Sequence, residues 1–347
     1  MPLFRRSSSK TAGSPTGAPS ASAPRGSGLR AGVDLGGTKI LALVVESENR
    51  VLGRARTATP HEGGPPAVID AIASTVSEAL ADAGAEASQL IGIGIGSPGS
   101  VDHATGNVSN ASNLPDWIEP YPMGPEISSR FGGLPVVLGN DVDVAVNAEF
   151  HLGAGRPYDS VLGVWWGTGV GGGVILNGVN WVGRGYAGEF GHQVIERGGA
   201  RCGCGNRGCV EAYAGRKDMQ RWVADKVEDG GKTKLFKIAK HKHRDSLTSG
   251  VWARAIRDDD KLAERAVRRA TRALGAGIAS SINLLDLPAV VVGGGMGERF
   301  FVDRQAEIAK YMEANLFRRE DPPALLGTEL GDDGGAIGAA LLVLPGA

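Results

Sequence analysis

All three cysteines of the chain lie within eight residues, at Cys202, Cys204 and Cys209, and His192 stands ten positions before the first of them. Three thiolates and one imidazole make a complete tetrahedral ligand set for a structural zinc ion, with no position left open for water. A tight loop of this kind needs positive φ values, which glycine adopts readily. The glycines among the cysteines are Gly203, Gly205 and Gly208. A disulfide with one spare thiol is the alternative, but the chain shows no secretory signal and few cysteines, as is typical of a reducing cytosol.

Two glutamates flank this cluster: Glu189 lies three residues before His192, and Glu211 lies two residues after Cys209. A carboxylate can accept hydrogen bonds from two hydroxyls at once. If one ring nitrogen of His192 binds zinc, the metal fixes the tautomer so that the other nitrogen donates outward. The pattern therefore favours a hydroxyl-bearing ligand beside the zinc loop. The alternative is that both glutamates are solvated surface residues.

Asn140 and Asp141 stand where an apolar strand, Val136–Leu138, ends and a predicted helix, Val142–His151, begins. Asn and Asp are preferred at the N-cap of a helix, so a purely structural role is one interpretation. The other interpretation is catalytic, since phosphoryl transfer to a hydroxyl needs one carboxylate within hydrogen-bond reach of that hydroxyl. The two roles do not exclude each other.

Two glycine-rich turns follow apolar strands, DLGGTK at Asp34–Lys39 and GTGVGGG at Gly167–Gly173. Backbone N–H groups in such turns form an anion-binding nest, and a carboxylate such as Asp34 can hold hydrated Mg²⁺. Neither turn matches the P-loop or the dinucleotide fingerprint. A third cluster, Gly293–Gly295, would let the backbone approach a flat group such as adenosine. The candidate nucleotide contacts are Asp34, Gly36, Gly37, Thr38, Lys39, Gly167, Thr168, Gly169, Gly171, Gly294 and Gly295.

The first two turns lie in matching segments, because Gly32–Val45 and Gly163–Leu176 share one layout of apolar strand, glycine-rich turn and apolar strand. Either turn alone is typical of a simple hairpin. Two in corresponding places indicate a duplicated fold that clamps a nucleotide between its halves. Further strands are predicted at Val51–Ala58, Ile91–Ile95 and Ala289–Val292, and helices at Pro65–Ala83, Glu211–Asp229, Asp260–Ile282, Phe301–Leu316 and Ala336–Leu344.

The composition limits the classes of partner. A length of 347 residues favours two domains, and the net charge of −1 leaves no electrostatic footprint for nucleic acid or an anionic membrane. A small neutral partner therefore fits better, and no apolar stretch approaches the length that spans a bilayer. Residues 1–28 are rich in Ser, Ala, Pro and Gly and contain no acid, which favours a disordered tail over an organellar transit peptide.

Several motifs, in order along the chain, resemble those of the ROK family of bacterial sugar kinases and sugar-sensing repressors. They are DLGGTK, NLPDW at Asn113–Trp117, the pair Asn140 and Asp141, GTGVGGG, GEFGH, CGCGNRGC followed by Glu211, and GDDGGAIGAA near the C-terminus. The resemblance implies an α/β fold of the duplicated actin-like, ribonuclease-H-like type, with a sugar and MgATP in the cleft between two domains. The smaller domain would comprise residues 29–139 and the C-terminal helix 335–347, and the larger one residues 140–334.

The resemblance also implies roles for matching residues. Asp141 matches the general base that deprotonates the sugar hydroxyl. The implied sugar-binding set is Asn113, Asn140, Asp141, Glu189, His192 and Glu211, and the implied zinc ligands are His192, Cys202, Cys204 and Cys209. The chain departs from the family at Asp143, where Asn is common. A second carboxylate two residues from the base could raise the pKa of the base by like-charge repulsion, or could point away.

The implied activity is that of a cytoplasmic, ATP-dependent hexose kinase, with glucose as the favoured substrate and its 6-hydroxyl as the acceptor. N-acetylmannosamine, fructose and other hexoses are alternative substrates, and polyphosphate is an alternative donor. A homodimer or homotetramer is expected. The alternative from another class is a sugar-responsive transcriptional repressor. It is disfavoured because only 28 low-complexity residues precede Leu29, where that branch carries a winged helix-turn-helix.

Overall fold

The computed structural model describes residues 28–111, 113–241 and 247–344. The tail predicted at residues 1–28 lies outside the described residues, apart from Gly28 at its end. Within the described ranges, no helix is both long enough and apolar enough to cross a bilayer.

Two five-stranded sheets form the framework of the molecule. The strands of the described residues are, in chain order, β1 (Leu29–Leu35), β2 (Lys39–Val45), β3 (Val51–Ala58), β4 (Leu90–Ser97), β5 (Ser100–Asp102), β6 (Asn107–Ser109), β7 (Val136–Asn140), β8 (Val161–Trp166), β9 (Val170–Leu176), β10 (Val179–Asn180), β11 (Ala289–Gly293) and β12 (Ala324–Gly327). The first sheet has the order β3-β2-β1-β4-β7 and the second the order β10-β9-β8-β11-β12, while β5 and β6 pair separately.

The two large sheets have the same topology. In the first, β1, β2 and β3 are antiparallel neighbours, and β4 and β7 run parallel to β1. In the second, β8, β9 and β10 are antiparallel neighbours, and β11 and β12 run parallel to β8. Every strand of one sheet therefore has a counterpart in the other, which confirms the predicted duplicated α/β fold of the actin-like, ribonuclease-H-like type. The two glycine-rich turns are counterparts as well, since each joins the first two strands of its sheet.

The helices pack on both sheets. Those of the described residues are α1 (Gly64–Ala83), α2 (Met123–Arg130), α3 (Asp141–Leu152), α4 (Glu211–Ala214), α5 (Arg216–Glu228), α6 (Leu235–His241), α7 (Ser249–Arg257), α8 (Lys261–Leu285), α9 (Gly294–Asn315) and α10 (Gly334–Leu341). Single 3₁₀ turns occupy Ala87–Gln89, Phe190–His192 and Gly331–Asp333.

The predicted boundaries are wrong at two helices. The helix predicted at Glu211–Asp229 is interrupted at Gly215, whose backbone is extended (φ −58°, ψ 130°), so that α4 ends there and α5 begins at the next residue. Helix α9 begins at Gly294 rather than at Phe301, because the glycine cluster forms the first turn of the helix. Helices α2, α6 and α7 were not predicted, since lengths of 8, 7 and 9 residues give too few turns for a 3.6-residue period to show.

Helix α3 lies between the two halves of the fold. On one side it packs closely on α10, where a Cβ atom on Gly338 would lie 1.9 Å from the carbonyl oxygen of Val144. On the other side, Val146 and Phe150 join Val161 and Ile175 of the second sheet in one apolar cluster. Because α10 in turn packs on β1 and β4, α3 connects the two sheets, and its N-terminus lies where they meet.

Candidate active site and metal centre

The four predicted zinc ligands lie together. One donor atom from each of His192, Cys202, Cys204 and Cys209 lies within 4.8 Å of all the others. The Sγ atoms of Cys204 and Cys209 are 3.8 Å apart, and Nδ1 of His192 is 3.7 Å from Sγ of Cys202. Tetrahedral coordination with Zn–S bonds of about 2.3 Å places two sulfur atoms about 3.8 Å apart. The cluster therefore has the dimensions of a zinc site, and all three cysteines are free thiols rather than disulfide partners.

The loop that carries the cysteines is shaped by its backbone. Gly205 and Gly208 have positive φ values of 93° and 84°, as predicted. The prediction for Gly203 is wrong, because its φ is not positive. The N–H of Gly205 donates to the carbonyl of Cys202 at 3.1 Å, so Gly203 and Cys204 form the centre of a turn that needs no left-handed residue.

The surroundings of the thiols favour a bound cation. Burial raises the pKa of the Cys202 thiol to about 12 and also raises the pKa of the Cys209 thiol. Thiolate is the form that ligates a metal, and a buried thiol loses its proton only beside a compensating positive charge. Three thiols and one imidazole at these distances fit a structural zinc ion.

Asn140 is the N-cap of α3. Its side-chain oxygen accepts hydrogen bonds from the N–H groups of Val142 at 2.9 Å and Asp143 at 3.4 Å. Because the oxygen is used in this way, the amide Nδ2 of Asn140 points its N–H groups elsewhere and has no partner among the described residues. The N-cap interpretation is therefore correct for Asn140, and its amide still offers a donor to a ligand.

Asp141 is the first residue of α3, and its Oδ1 accepts a hydrogen bond from the N–H of Val142 at 3.0 Å. The pKa of the Asp141 carboxyl is raised to about 6, mainly by burial and in part by the negative charge of Asp34. This carboxyl binds a proton more strongly than an exposed aspartate, yet it is ionised at neutral pH. Both properties suit a general base.

A cleft of about 560 Å³ lies between the two halves. The first half contributes the DLGGTK turn, and the second contributes the GTGVGGG turn and the N-terminus of α9. Asp141 also lines this cleft. Every candidate nucleotide contact lies on its wall, namely Asp34, Gly36, Gly37, Thr38, Lys39, Gly167, Thr168, Gly169, Gly171, Gly294 and Gly295. The three glycine clusters, which are far apart in sequence, therefore face one space.

A second pocket of about 380 Å³ adjoins the cleft, and Val142 and Gly171 line both. The segment 182–189 forms part of its wall. Polar side chains that line it include His103, Asn140, Asp143, Arg184 and Glu189. This size is at the lower end of the range for small-molecule sites, about 300–1,000 Å³. The cleft and the pocket meet at the N-terminal turn of α3, where Asn140 and Asp141 lie.

The predicted sugar-binding residues are divided between these two spaces. Asn140 and Glu189 line the smaller pocket, whereas Asp141 and Glu211 line the larger cleft. His192 lines neither space, and its Nε2 lies 3.8 Å from Oε2 of Glu189. The imidazole therefore has Nδ1 toward the cysteines and Nε2 toward the carboxylate of Glu189.

Asn113 lies on the wall of the larger cleft, as Asp141 and Glu211 do, and not in the smaller pocket. It lines the larger cleft, where its Oδ1 accepts a hydrogen bond from Nζ of Lys217 at 3.3 Å. A Cβ atom on Gly37 would lie 2.8 Å from the carbonyl oxygen of Asn113. The structure thus places Asn113 against the first glycine-rich turn.

Glu211 connects the zinc loop to the second glycine-rich turn. Its Oε2 accepts a hydrogen bond from the N–H of Val170 at 2.8 Å, and its Oε1 lies 3.8 Å from Sγ of Cys202. A Cβ atom on Gly169 would lie 2.3 Å from Oε2 of Glu211, so glycine is required there for this approach. Displacement of the zinc loop would therefore also displace the turn.

Helix α5 supports the second turn from behind. Nη2 of Arg216 donates to Oγ1 of Thr168 at 2.7 Å, and the N–H groups of Arg216 and Lys217 donate to the carbonyls of Gly167 and Thr168 at 3.2 and 3.1 Å. These contacts fix the backbone of the turn, which a phosphate-binding nest requires.

Sequence reasoning missed several polar residues at the site, among them His103, Arg216 and Asp332. Asp332 lines the larger cleft and its Oδ1 lies 3.3 Å from Nζ of Lys39. It belongs to the motif GDDGGAIGAA, so a signal for it existed. His103 and Arg216 stand singly in segments with no chemical pattern, and only the fold brings them to the site.

Comparison with known proteins finds similar sequences and structures among sugar kinases. The model of the ROK family matches residues 30–345. The glucokinase of Thermotoga maritima is 33% identical over 316 residues, which cover 90% of this chain and 96% of that protein. An N-acetylmannosamine kinase of Haemophilus influenzae is 30% identical over 319 residues, which cover 90% and 94%. The solved structure of a ROK family glucokinase from Streptomyces griseus, in complex with glucose and AMPPNP, matches with a TM-score of 0.75 at 34% identity, covering 90% of this chain and 98% of that chain.

Proposed function

Because the chain belongs to the ROK family, we propose that it is an ATP-dependent hexose kinase and that glucose is its preferred substrate, phosphorylated at the 6-hydroxyl. The observation that carries this proposal is the position of Asp141. A carboxylate with a raised pKa stands where a small polar pocket meets a cleft lined by glycine-rich turns. The glucokinases among the relatives support glucose over other hexoses.

Asp141 is the proposed general base. A hydroxyl that enters from the smaller pocket would donate its hydrogen bond to the free oxygen of Asp141, since Oδ1 is already bonded to the N–H of Val142. The proton moves to the carboxylate as the hydroxyl oxygen attacks the terminal phosphorus of ATP. The raised pKa makes this transfer more favourable than transfer to an ordinary aspartate.

Asn140, Glu189, His192 and Glu211 are the proposed sugar ligands. The free amide of Asn140 donates, and the carboxylate of Glu189 accepts. A zinc ion on Nδ1 of His192 would leave its Nε2–H as a donor on the pocket side. Asn113 is the weaker member of the set, because its side chain is engaged by Lys217 across the cleft.

The nucleotide is proposed to lie in the larger cleft, with its phosphates on the two glycine-rich turns and its adenosine near Gly294 and Gly295. When bound, Mg²⁺ neutralises the negative charge that develops on the transferring phosphoryl group. Mg²⁺ usually keeps several waters and binds one or two carboxylates beside the substrate phosphates. Burial raises the pKa of Asp34, which lines the cleft, so a cation beside this carboxyl would be favoured. The residues present therefore fit the metal.

The zinc cluster is proposed to have a structural role. Its ligands include His192, and its neighbour Glu211 holds the second glycine-rich turn through Val170. A metal at this point would therefore fix the sugar side and the phosphate side of the site together. Thiolate ligands imply a reducing compartment, which supports a cytoplasmic location.

We also propose that the chain is divided into two domains. Residues 29–139 with the C-terminal segment 335–347, which contains most of α10, would form one domain, and residues 140–334 the other. The protein is proposed to assemble as a homodimer or homotetramer. N-acetylmannosamine is the second candidate substrate, favoured by the kinase of that sugar among the relatives.

The proposal is tested by identifying the product. Purified protein is incubated with glucose and MgATP, and the product is analysed by ³¹P NMR. The expected product is glucose 6-phosphate, formed only when ATP is present. Replacement of ATP by polyphosphate is expected to give no product. Phosphorylation of N-acetylmannosamine without phosphorylation of glucose would contradict the proposed preference.

A further inference from the structure

The smaller pocket contains a carboxylate for which the proposed mechanism has no use. Asp143 lines this pocket, two residues after the proposed base. Its backbone N–H donates to Asn140, but its carboxylate makes no hydrogen bond or ion pair with any residue in the described part of the chain. The carboxylate is therefore available to a ligand in the pocket.

Two further titratable side chains, His103 and Glu189, line the pocket beside Asp143. Nδ1 of His103 lies 3.0 Å from the carbonyl oxygen of Leu138, which can only accept, so Nδ1 carries a hydrogen. Glu189 lines the same pocket and is exposed. Nε2 of His192 lies 3.8 Å from Oε2 of Glu189, whereas the Asp143 carboxylate has no hydrogen-bond or ion-pair partner among the described residues.

Burial and two neighbouring side chains shift the pKa of Asp143. The pKa of the Asp143 carboxyl is raised to about 6, mainly by burial; the charge of His103 opposes this rise, and the charge of Glu189 adds to it. Arg184 also lines the pocket, but its exposed guanidinium is not among the charges that shift this pKa. A cation next to Asp143 would offset the repulsion from Glu189, whereas a neutral hydroxyl would only donate a hydrogen bond to the carboxylate.

We propose that Asp143 is a specificity-determining residue, which makes the pocket favour a hexose that carries a protonated amino group over the same hexose with a neutral amide. This inference rests on the proposed hexose kinase function and adds amino hexoses to its substrates. An ammonium group can donate three hydrogen bonds and carries the charge opposite to that of the unpartnered Asp143 carboxylate. Charge-assisted bonds of this kind are about twice as strong as neutral ones.

The test compares three sugars in the wild-type protein and in Asp143→Asn. Glucose has a hydroxyl at carbon 2, glucosamine an ammonium group, and N-acetylglucosamine a neutral amide on the same nitrogen. Initial rates of ADP release are measured at pH 7, where the Asp143 carboxylate is mostly ionised. In the wild-type protein, kcat/KM is expected to be at least about tenfold higher for glucosamine than for N-acetylglucosamine. In Asp143→Asn the glucosamine-to-glucose ratio should fall at least about tenfold, mainly through KM.

Two controls separate this effect from others. Asp259→Asn makes the same charge change at an exposed residue with a positive φ of 59°, and its sugar ratios should equal those of the wild type. If Asp143→Asn does not fold, calorimetric binding of glucosamine and N-acetylglucosamine to the wild-type protein tests the same preference.

The outcomes distinguish the two proposals. A wild-type protein that phosphorylates glucose but not glucosamine would overturn the inference and leave the proposed function intact. An Asp143→Asn variant that loses activity equally for all three sugars would also overturn it, because a structural role has no reason to select the cation. A wild-type protein that phosphorylates no hexose would contradict the proposed function itself.

Discussion

Replacement of Asp141 by Asn separates catalysis from folding. Asn has the same size, its Oδ1 can still accept the hydrogen bond from Val142, and Asn140 remains the N-cap of α3. The group that accepts the hydroxyl proton is lost. General bases contribute about 10²–10⁴-fold to rate, so kcat should fall at least ~100-fold while KM for glucose changes much less.

The same substitution should stabilise the fold at high pH. The pKa of Asp141 is raised from 3.8 to about 6, so the native state favours the proton, and stability declines as the pH rises through this range. A shift of about two pKa units corresponds to at most about 3 kcal/mol, because solvent screens a partly exposed carboxyl. Removal of the charge should therefore raise Tm at pH 8, by at most about 6 °C. The difference should shrink as the pH approaches 4.

Both effects are measured on one preparation. ADP release gives kcat, calorimetry at pH 8 and pH 5 gives Tm, and elemental analysis gives the zinc content. Asp259→Asn serves as the matched control, and its kcat and Tm should not change. Retention of more than a tenth of wild-type kcat in Asp141→Asn would refute its role as the base. A lower Tm at pH 8 would refute the interpretation of its environment.

Three further predictions concern acidity, metal and a buried carboxylate. The specificity constant kcat/KM of the wild-type protein for glucose should fall about tenfold per pH unit below pH 6, because protonated Asp141 cannot accept a proton. A flat pH profile down to about pH 4.5 would contradict this prediction. Cys204→Ser should reduce the metal content from about one zinc ion per chain to nearly none by elemental analysis, and unchanged zinc would exclude the site. Glu149→Gln should lower the free energy of unfolding, measured by urea titration, by about 1.5–3 kcal/mol. The reason is that the buried carboxylate accepts hydrogen bonds from the N–H groups of Ala154 and Leu330. An unchanged urea midpoint would contradict this prediction.

Features that lie close together in sequence could be predicted from it. The ligand set Cys202, Cys204 and Cys209 comes from one loop, so spacing alone indicated the metal. The hairpins that contain the glycine-rich turns were equally clear, because each is built from adjacent strands. Their repetition indicated a duplicated fold, and the matching strand orders of the two sheets confirm it.

Features that depend on distant segments could not be predicted. His103 and Asp143 are forty residues apart, and they face one pocket only because β4 and β7 are neighbours in the sheet. The break at Gly215 was missed because the residues on both sides favour a helix. The start of α9 at Gly294 was missed because glycine disfavours helix, a preference that the tertiary structure overrides here.

The most direct test of the central claim is the rate of ADP release from MgATP by the purified protein, measured with a panel of hexoses and without sugar. The proposed function predicts release that depends on hexose, with the highest kcat/KM among neutral sugars for glucose, and at least ~100-fold lower kcat in Asp141→Asn. Release at the same rate with and without every hexose, or equal rates in the two proteins, would contradict it.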